Sequence, residues 1–423
     1  MKRYVQFALI LVLILILSQC KRRLNTNLPP ITYWKDIRPI IENRCYPCHG
    51  LYGPAPGKFL EFNQVKSAIG MINYAVKSGY MPPWKADTNN SCNFANKRFV
   101  MPEEIEKLRI WGILDCPEGD KPSTLPEQAP VGLNKPDLIL SLANPAALPE
   151  SSSDFFVDVE LPFKLPQNKL FEQLKYVQKD QNMRNHAIYT IRTSTPENMP
   201  NGAFDEKVFF DKDVVMAEVG PRLGRNEIPQ NAGFYLPEKG TVNLNMHYNH
   251  IAKPDRDSIE MFLWYANDSI HRVCEFMGID AIATENIQLS SPFEIPAGIK
   301  KTFLMQKKLD KAITILSISP HMHLLGKSFR AFAITPQADT IKIISIPNWD
   351  FNWQDIYNCS PVLCLEKGTI VYIEATYDNT SCNVNNPSIP PKKVIGGWTT
   401  NKEMLTFIMI GMAYKNGDER LFW

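Results

Sequence analysis

The sequence predicts an α plus all-β multidomain protein, in which a small helical domain is followed by two antiparallel β-sandwiches. Apolar residues such as Ile37, Ile40 and Ile41 recur at helical spacing in the first part of the chain. Beyond Asp137 the pattern changes to short alternating runs such as FFVDVEL and HAIYTI, separated by turn residues, which is typical of antiparallel sandwiches. The 33 prolines against 21 glycines agree with a chain rich in strands and loops.

The N-terminus has the organisation of a targeting segment. Lys2 and Arg3 precede an apolar run that is too short for a comfortable membrane span and that ends in LSQC at 17–20. This string resembles a bacterial lipobox, in which the cysteine, here Cys20, is lipidated and becomes the first residue of the mature protein. Gln19 replaces the usual small residue, so an uncleaved anchor is the alternative. Both interpretations predict a protein of the bacterial periplasm or cell envelope, anchored to a membrane.

The β-rich part is too long for one small sandwich, so two sandwiches are expected there. With the regions that precede them, six segments are expected along the chain. They are a lipoprotein signal peptide (1–20), a polar tether (21–31), the helical domain (32–119), a proline-rich linker (120–135), and two sandwiches (136–285 and 286–423). The formal net charge is only +2, so nothing indicates a nucleic acid or an acidic polymer as partner.

A CxxCH motif lies in the helical domain at Cys45-Tyr46-Pro47-Cys48-His49. Two cysteines three apart on a helical turn can both reach the vinyl groups of a haem, and the histidine is then placed under the iron as proximal ligand. A zinc or redox CxxC pair is the alternative, but a zinc site needs more ligands nearby. The motif therefore predicts a cytochrome c domain with one covalent haem c, which a periplasmic electron donor would reduce.

The second axial ligand of this haem is expected later in the same domain. Met81 lies in the rigid string YMPPW at 80–84, which resembles the sixth-ligand loop of small bacterial cytochromes c. A methionine and histidine pair raises the reduction potential and suits electron transfer. Met101 and Met71 are competitors, and a methionine that only fills the core is the other alternative.

The remaining cysteines are expected to form disulfides, because an even number in an oxidising compartment favours pairing. Lipidation and haem attachment account for three of the nine cysteines, which leaves Cys92, Cys116, Cys274, Cys359, Cys364 and Cys382. The preferred pair is Cys92 with Cys116, because both fall in the helical domain. The other pairings stay open.

A second group of metal-binding residue types lies in the β-rich part. His321 and His323 follow the strand-like run ITILSIS, and residues two apart on a strand point to the same face. Further along, Met404 closes the string KEM just before another apolar run. A thioether with two imidazoles suits copper better than zinc or calcium. The alternative is a polar surface pair of histidines without metal.

At these residues the chain resembles the type II copper, ascorbate-dependent monooxygenases, which include peptidylglycine α-hydroxylating and dopamine β-monooxygenases. HMHLLGK at 321–327 resembles the HxHxLGK motif, whose two histidines hold the oxygen-binding copper, and KEM resembles the DEM segment with its methionine ligand. The resemblance covers roughly 136–415. It implies two antiparallel jelly-roll sandwiches, a catalytic copper at His321, His323 and Met404, and a small-molecule substrate.

The resemblance also implies a second, electron-transferring copper, but with an incomplete ligand set. LNMHYNH at 244–250 resembles the segment that places one ligand on His247. In the segment with paired histidines, His186 is present and Asn185 replaces its partner. His250 is a weak substitute because three residues along a strand turn it to the opposite face. One copper is therefore expected and a second is left open. His271 has no motif around it.

Two further departures bear on function. Leu405 replaces a family cysteine, which removes one family disulfide. Ser319 replaces the arginine that anchors the substrate carboxylate in the peptidylglycine enzyme, which disfavours a C-terminal peptide glycine. The expected function is a haem-c-containing copper monooxygenase that hydroxylates an organic substrate with O2, with electrons entering through the haem. The alternative is a non-enzymatic periplasmic electron-transfer or copper-binding protein with a degenerate second copper site.

Overall fold

The computed structural model describes residues 30–50, 55, 57–123, 135–151, 155–178, 184–192, 215–219, 226–227, 232–248, 253–266, 272–282 and 287–421, and only the backbone at His186 and His247. These residues divide into two compact units. The first, which we call the helical unit, contains 30–50, 57–82 and 99–123. The second, the β unit, contains 83–98 and the described residues from 135 onward. The predicted signal peptide and lipidation site, Cys20, lie outside the described residues.

The helical unit is built from three helical stretches. The first, α1, spans 33–49 and alternates between π-helical and α-helical turns; the others are α2 and α3. Their bounds are Tyr33–Ile37, Arg38–Ile40, Ile41–Cys45 and Tyr46–His49 within α1, Phe62–Lys77 for α2, and Pro102–Ile113 for α3. A shared core contains Ile37 and Ile41 from α1, Val65 from α2 and Trp111 from α3. Among the described residues, no helix combines the length and the apolar character that crossing a membrane requires.

Local sequence explains where α2 and α3 begin. A capping box formed by Glu61 and Gln64 satisfies backbone groups in the first turn of α2. Pro102 occupies the first turn of α3, followed by Glu103 and Glu104, and both features suit the start of a helix. The two helices then bury their apolar faces against α1 in the shared core.

The N-terminal part of the β unit forms the first sandwich. Its eleven described strands are β1 to β11: Leu138–Ser141, Ala146–Leu148, Phe155–Lys164, Lys169–Gln178, Arg184–Arg192, Val215–Val219, Asn226–Glu227, Phe234–Leu236, Lys239–Tyr248, Asp255–Asp257 and Ile259–Tyr265. One sheet has the order β1-β11-β4-β7, with β8 also paired to β4, and the other has the order β3-β9-β5-β6. Inward side chains of both sheets, such as Met261 and Leu244, share one core.

The C-terminal part of the β unit forms the second sandwich. Its described strands are β12 to β22: Glu275–Asp280, Gln288–Leu289, Glu294–Ile295, Lys300–Lys308, Ile313–His321, Gly326–Ile334, Thr340–Ile346, Tyr357–Leu365, Ile370–Asp378, Val394–Ile395 and Thr406–Ala413. The orders are β12-β22-β16-β19 and β13-β15-β20-β17-β18. Residues such as Ile315 and Phe407 from one sheet and Phe329 and Ile373 from the other share a core.

The β12-β22-β16-β19 sheet is buried on both faces. In β16, Ile315 faces the core of the second sandwich, whereas the adjacent Leu316 packs into the core of the first. All nine residues of β16, including its last residue His321, are buried. The mainly apolar run ITILSIS therefore behaves as a central strand, and its polar end lies where the sheet stops.

The antiparallel, mostly β organisation predicted from sequence is confirmed, since the named strands pair in antiparallel fashion. The jelly-roll topology and the cytochrome c fold stay predictions. The division differs from the expected one at 83–98, which belongs to the β unit rather than to the helical domain. In addition, β12 begins at Glu275, before the expected boundary at 285, because it pairs with β22.

The preferred pairing of Cys92 with Cys116 is contradicted by this division. Cys116 is buried in the core of the helical unit. Cys92 lies in the β unit, where its Sγ is 3.8 Å from the Sγ of Cys359. The prediction was wrong because closeness along the sequence was used as a guide to closeness in space.

Candidate metal centre

The ends of two neighbouring strands bring the HMH and KEM segments together. His321 is the last residue of β16, and Met404 lies two residues before β22. The strands are antiparallel neighbours, with His321 in register with Thr406. Because the end of one strand lies beside the start of its antiparallel neighbour, segments far apart in sequence meet at one edge of the sheet.

We call His321, His323 and Met404 the edge cluster. Both of its imidazoles are oriented by carbonyl oxygens. Nδ1 of His321 lies 2.5 Å from Oε1 of Gln354, and Nδ1 of His323 lies 2.9 Å from the backbone oxygen of Lys402. A carbonyl only accepts hydrogen bonds, so each ring carries its proton on Nδ1 and its lone pair on Nε2. This carbonyl-fixed arrangement is common for histidines that bind metal through the other nitrogen.

The cluster is shielded from solvent. The exposed fractions are 6% for His321, 2% for His323 and 4% for Met404, and the two imidazole centroids are 5.1 Å apart. The hydroxyl of Tyr377 donates to the backbone oxygen of Met404 at 2.7 Å, which fixes the chain just before β22. Two buried imidazoles and a buried thioether at one edge of a sheet are donor groups of the kinds that suit copper.

The side chains of the edge cluster are of two kinds, imidazole and thioether, and both can bind a metal. Within the part of the chain that the structure describes, no group of three or more histidine, cysteine, aspartate or glutamate side chains is arranged to hold a metal ion. His321 and His323 are two side chains of these types, and Met404, two residues before β22, brings a thioether to the same edge of the sheet.

Glu403 joins the two ligand-bearing segments. Its carboxylate accepts the backbone N–H of His323 at 2.9 Å and that of Leu325 at 2.7 Å. The side chain is buried, and burial raises the pKa of its carboxyl, whereas the N–H donors act in the opposite direction. Sequence reasoning did not select this residue, although an acidic residue between Lys402 and an apolar strand was the available signal.

Gln354 was also missed by sequence reasoning. It lies in the loop between β18 and β19, and its Nε2 donates to the backbone oxygen of Phe351 at 3.0 Å. Phe351 in turn packs edge-on against the His323 ring, with centroids 5.9 Å apart. No motif surrounds Gln354, because its role depends on a contact with a strand that lies more than thirty residues earlier.

The residues expected at a second copper are only partly described. His186 in β5 and His247 in β9 are register partners on neighbouring antiparallel strands, and the pairing register shifts between Arg184 and His186, at Asn185. The side chains at these positions lie outside the described residues. His250 and His271 also lie outside them.

The CxxCH motif occupies the end of α1. Nδ1 of His49 lies 2.7 Å from the backbone oxygen of Gly57, and its ring stacks on Phe59 with centroids 4.6 Å apart. The Nδ1 proton again places the lone pair on Nε2, the nitrogen that a proximal haem ligand uses. Burial raises the pKa of the Cys45 thiol to about 12, whereas redox-active CxxC cysteines have a lowered pKa. The raised pKa of Cys45 is the opposite of what thiol exchange requires.

The three methionines considered as sixth haem ligand differ in exposure. Met71 is 72% exposed, whereas Met81 and Met101 are half-buried. The backbone N–H of Met81 donates to the oxygen of Ala75 at 3.1 Å, which ties the MPPW segment to the end of α2. Met101 is the residue that precedes the first turn of α3.

The two departures from the family pattern are both buried. Ser319 lies in β16, and its hydroxyl donates to the backbone oxygen of Asp355 at 3.4 Å. Leu405 is fully buried in the core of the second sandwich. Neither position presents a charged group for a substrate carboxylate.

Comparison with solved structures shows only weak likeness. PNGF-II has a TM-score of 0.29 and 9% identity, and the match covers 66% of this chain and 65% of PNGF-II. The PBSX exported protein XepA has a TM-score of 0.18 and 10% identity, covering 57% of this chain and 86% of XepA. The infectious bursal disease virus VP2 subviral particle has a TM-score of 0.17 and 10% identity, covering 66% of this chain and 78% of the VP2 chain. We draw no conclusion from scores this low.

Comparison with protein families is more informative. No curated protein sequence matches the chain. Residues 294–415, which include His321, His323 and Met404, match the family model of the copper type II ascorbate-dependent monooxygenase, C-terminal domain. The match supports copper as the metal and an oxygen-using oxidoreductase chemistry. The second sandwich of this chain is therefore similar to the C-terminal domain of the copper type II ascorbate-dependent monooxygenases.

Proposed function

We propose that this protein is a copper-dependent monooxygenase that hydroxylates an organic small molecule with O2 and receives its electrons through a haem c in its own helical unit. The observation that carries the proposal is the edge cluster. Two buried imidazoles have their Nδ1 atoms fixed by carbonyl oxygens beside Met404, inside the segment that matches the copper monooxygenase family.

The residues of the edge cluster would bind the copper, and the residues around them would keep them in position. His321, His323 and Met404 would hold the copper, which supplies one-electron redox chemistry and activates O2 when it is bound. Gln354 and the backbone of Lys402 keep each imidazole in the tautomer that offers Nε2. Glu403 would hold the backbone at His323 and Leu325, where the HMH segment ends, and so help to keep His323 in position.

The helical unit would carry the haem. Cys45 and Cys48 would form the thioether bonds, His49 would be the proximal ligand and Met81 the distal one, and the haem would supply single electrons. Gly57 fixes the His49 ring through Nδ1, which supports the proximal assignment. A fused electron carrier would serve where the related enzymes use ascorbate, and His186 and His247 are the residues at which a relaying second copper would be sought.

The proposed setting is the periplasmic face of a bacterial membrane. Lipidation at Cys20 would hold the protein there, with a periplasmic electron donor and a small-molecule substrate as partners. The support for this location is the lipobox-like string at 17–20 and the CxxCH motif at 45–49.

A second candidate function is a non-enzymatic electron-transfer or copper-binding protein. The residue that favours it is Asn185, which stands where the related enzymes have a histidine. An amide is a poor copper ligand, so the chain would hold one copper and lack the relay that a monooxygenase uses.

Metal and haem stoichiometry on protein purified from the periplasm separates these functions. Two coppers per haem support the enzyme, whereas one or none supports the second candidate. His323→Ala should lose one copper and keep the haem, whereas the matched control His271→Ala should keep all its copper and its haem. Retention of full copper content by His323→Ala would refute the assignment of the edge cluster.

The route of the electrons is tested by spectroscopy. Protein with its haem reduced is mixed with O2, with and without bound copper, and the haem absorbance is followed. We expect rapid reoxidation only in the copper-loaded protein, and His323→Ala should reoxidise as slowly as the copper-free sample. A reduced haem spectrum that does not change with copper and O2 present would rule out the proposed route.

A further inference from the structure

Residues 83–98, which we call the strap, lie along the second sandwich and bond to it through their backbone. The N–H of Asp87 donates to the oxygen of Ser345 at 2.8 Å, and the N–H of Cys92 donates to the oxygen of Ile343 at 3.0 Å. These bonds reach β18, at one edge of its sheet. Further bonds reach β19, where the N–H of Ala95 donates to Asn358 at 2.8 Å. The strap is therefore an integral part of the second sandwich, although it precedes β18 and β19 by more than two hundred residues.

Side chains of the strap fill the sandwich core and pair with its loops. The rings of Trp84 and Phe94 pack against Tyr357, with centroids 5.1 and 5.2 Å apart. Lys85 forms an ion pair with Asp350 at 3.2 Å. Arg98 pairs with Asp355, next to Gln354, whose amide oxygen orients His321. The strap thus contacts both ends of the loop that supports one copper-ligand residue.

Two cysteines face each other where the strap meets β19. The Sγ atoms of Cys92 and Cys359 are 3.8 Å apart. Cys359 is fully buried, and its backbone forms an isolated bridge with Phe94 of the strap. Backbone bonds at Cys92 and at Ser360 hold the two residues in place. A disulfide would require the sulfurs to approach from 3.8 Å to about 2.05 Å.

We propose that Cys92 and Cys359 form a disulfide that fastens the strap to the second sandwich. The two thiols would each lose a proton and together two electrons, and the S–S bond would form as a disulfide-bearing oxidant of the compartment is reduced to its dithiol. The proposal rests on the export of the protein put forward above, because such bonds persist in oxidising compartments. It does not depend on the copper or haem assignments.

The bond would give the strap a defined role. The strap starts two residues after Met81 and ends at Arg98, one residue before the helical unit resumes at Phe99. A cross-link at Cys92 would hold this stretch, with Lys85 and Arg98, against the loop at 350–355. The loop that orients His321 would then be supported by a covalently fixed neighbour rather than by ion pairs alone.

Mass spectrometry on the full chain purified from the periplasm tests the bond directly. The protein is denatured without reductant, its free thiols are alkylated with iodoacetamide, and it is digested. We expect a peptide with Cys92 joined to one with Cys359, which separate after reduction. Alkylation of both residues without reductant, or a peptide joining Cys92 to Cys116, would overturn the proposal. The lipid at Cys20 reports export in the same digest, which distinguishes a failed export from an absent bond.

Unfolding experiments test whether the bond fastens the strap. Reductant should lower the thermal midpoint of the wild-type protein and of the control Cys382→Ser, whose cysteine is exposed. The double variant Cys92→Ser/Cys359→Ser should start from a lower midpoint than the wild type, and reductant should lower its midpoint less. An equal drop in the double variant and the wild type would contradict the proposal.

Discussion

Replacement of Gln354 by leucine isolates the contribution of one orienting hydrogen bond to copper binding. Gln354→Leu keeps the size of the side chain but removes the oxygen that lies 2.5 Å from Nδ1 of His321. The ring would lose the partner that fixes its tautomer and its angle. Loss of such an orienting partner costs 10- to 100-fold in metal affinity, or about 1.4 to 2.7 kcal/mol. We expect a decrease of that size in the affinity for Cu(I).

Competition with a chromophoric Cu(I) chelator measures this affinity on the full chain. Gln354→Glu keeps an acceptor at the same place and should bind copper at least as well as the wild type. The matched control is Gln337→Leu, because Gln337 is exposed and bonds Glu366 far from the cluster. A folded Gln354→Leu protein with wild-type copper affinity would refute the role assigned to Gln354.

Three further predictions follow from the same structure. Glu403→Ala removes the acceptor of two backbone N–H groups, so its thermal midpoint should fall and its copper affinity should weaken, as unfolding and chelator competition would show. Although burial would raise the pKa of Asp418, hydrogen bonds from Arg272 and Thr314 hold it at about 2. The carboxylate should therefore contribute about 2 kcal/mol of stability above pH 4, which is lost as the pH falls toward 2. Asp418→Asn should flatten this dependence in acid unfolding, and an unchanged slope would contradict it. Asn185→His should raise the copper content in metal analysis, whereas an unchanged content would place position 185 outside a metal site.

Patterns that repeat along the chain were sufficient to predict antiparallel sheets and a buried helix face. Alternating apolar residues indicated antiparallel sheets, and helical spacing at Ile37 and Ile41 indicated a buried helix face. HMHLLGK and KEM could be linked because both resemble ligand motifs of one copper family, and the register of β16 with β22 explains why the two segments meet.

Contacts that join distant segments left no such pattern. Gln354 acts through a hydrogen bond to His321, and Glu403 acts through hydrogen bonds to the backbone of His323 and Leu325. These partners are remote in sequence, and no spacing rule marks Gln354 or Glu403. The strap was assigned to the helical domain because it lies between two helices in sequence. Its aromatic residues Trp84 and Phe94, which pack into the second sandwich, carry no sign of which domain they will join.

The doubly buried position of the β12-β22-β16-β19 sheet has a consequence for metal uptake. Amides in such a sheet exchange with solvent only when the whole domain opens, so β16 and β22 should be among the slowest-exchanging parts of the chain. We therefore expect strand pairing itself to hold the backbone at His321 and close to Met404, with or without a metal. Copper loading would not need to order the backbone, and the free energy of binding would not be spent on folding.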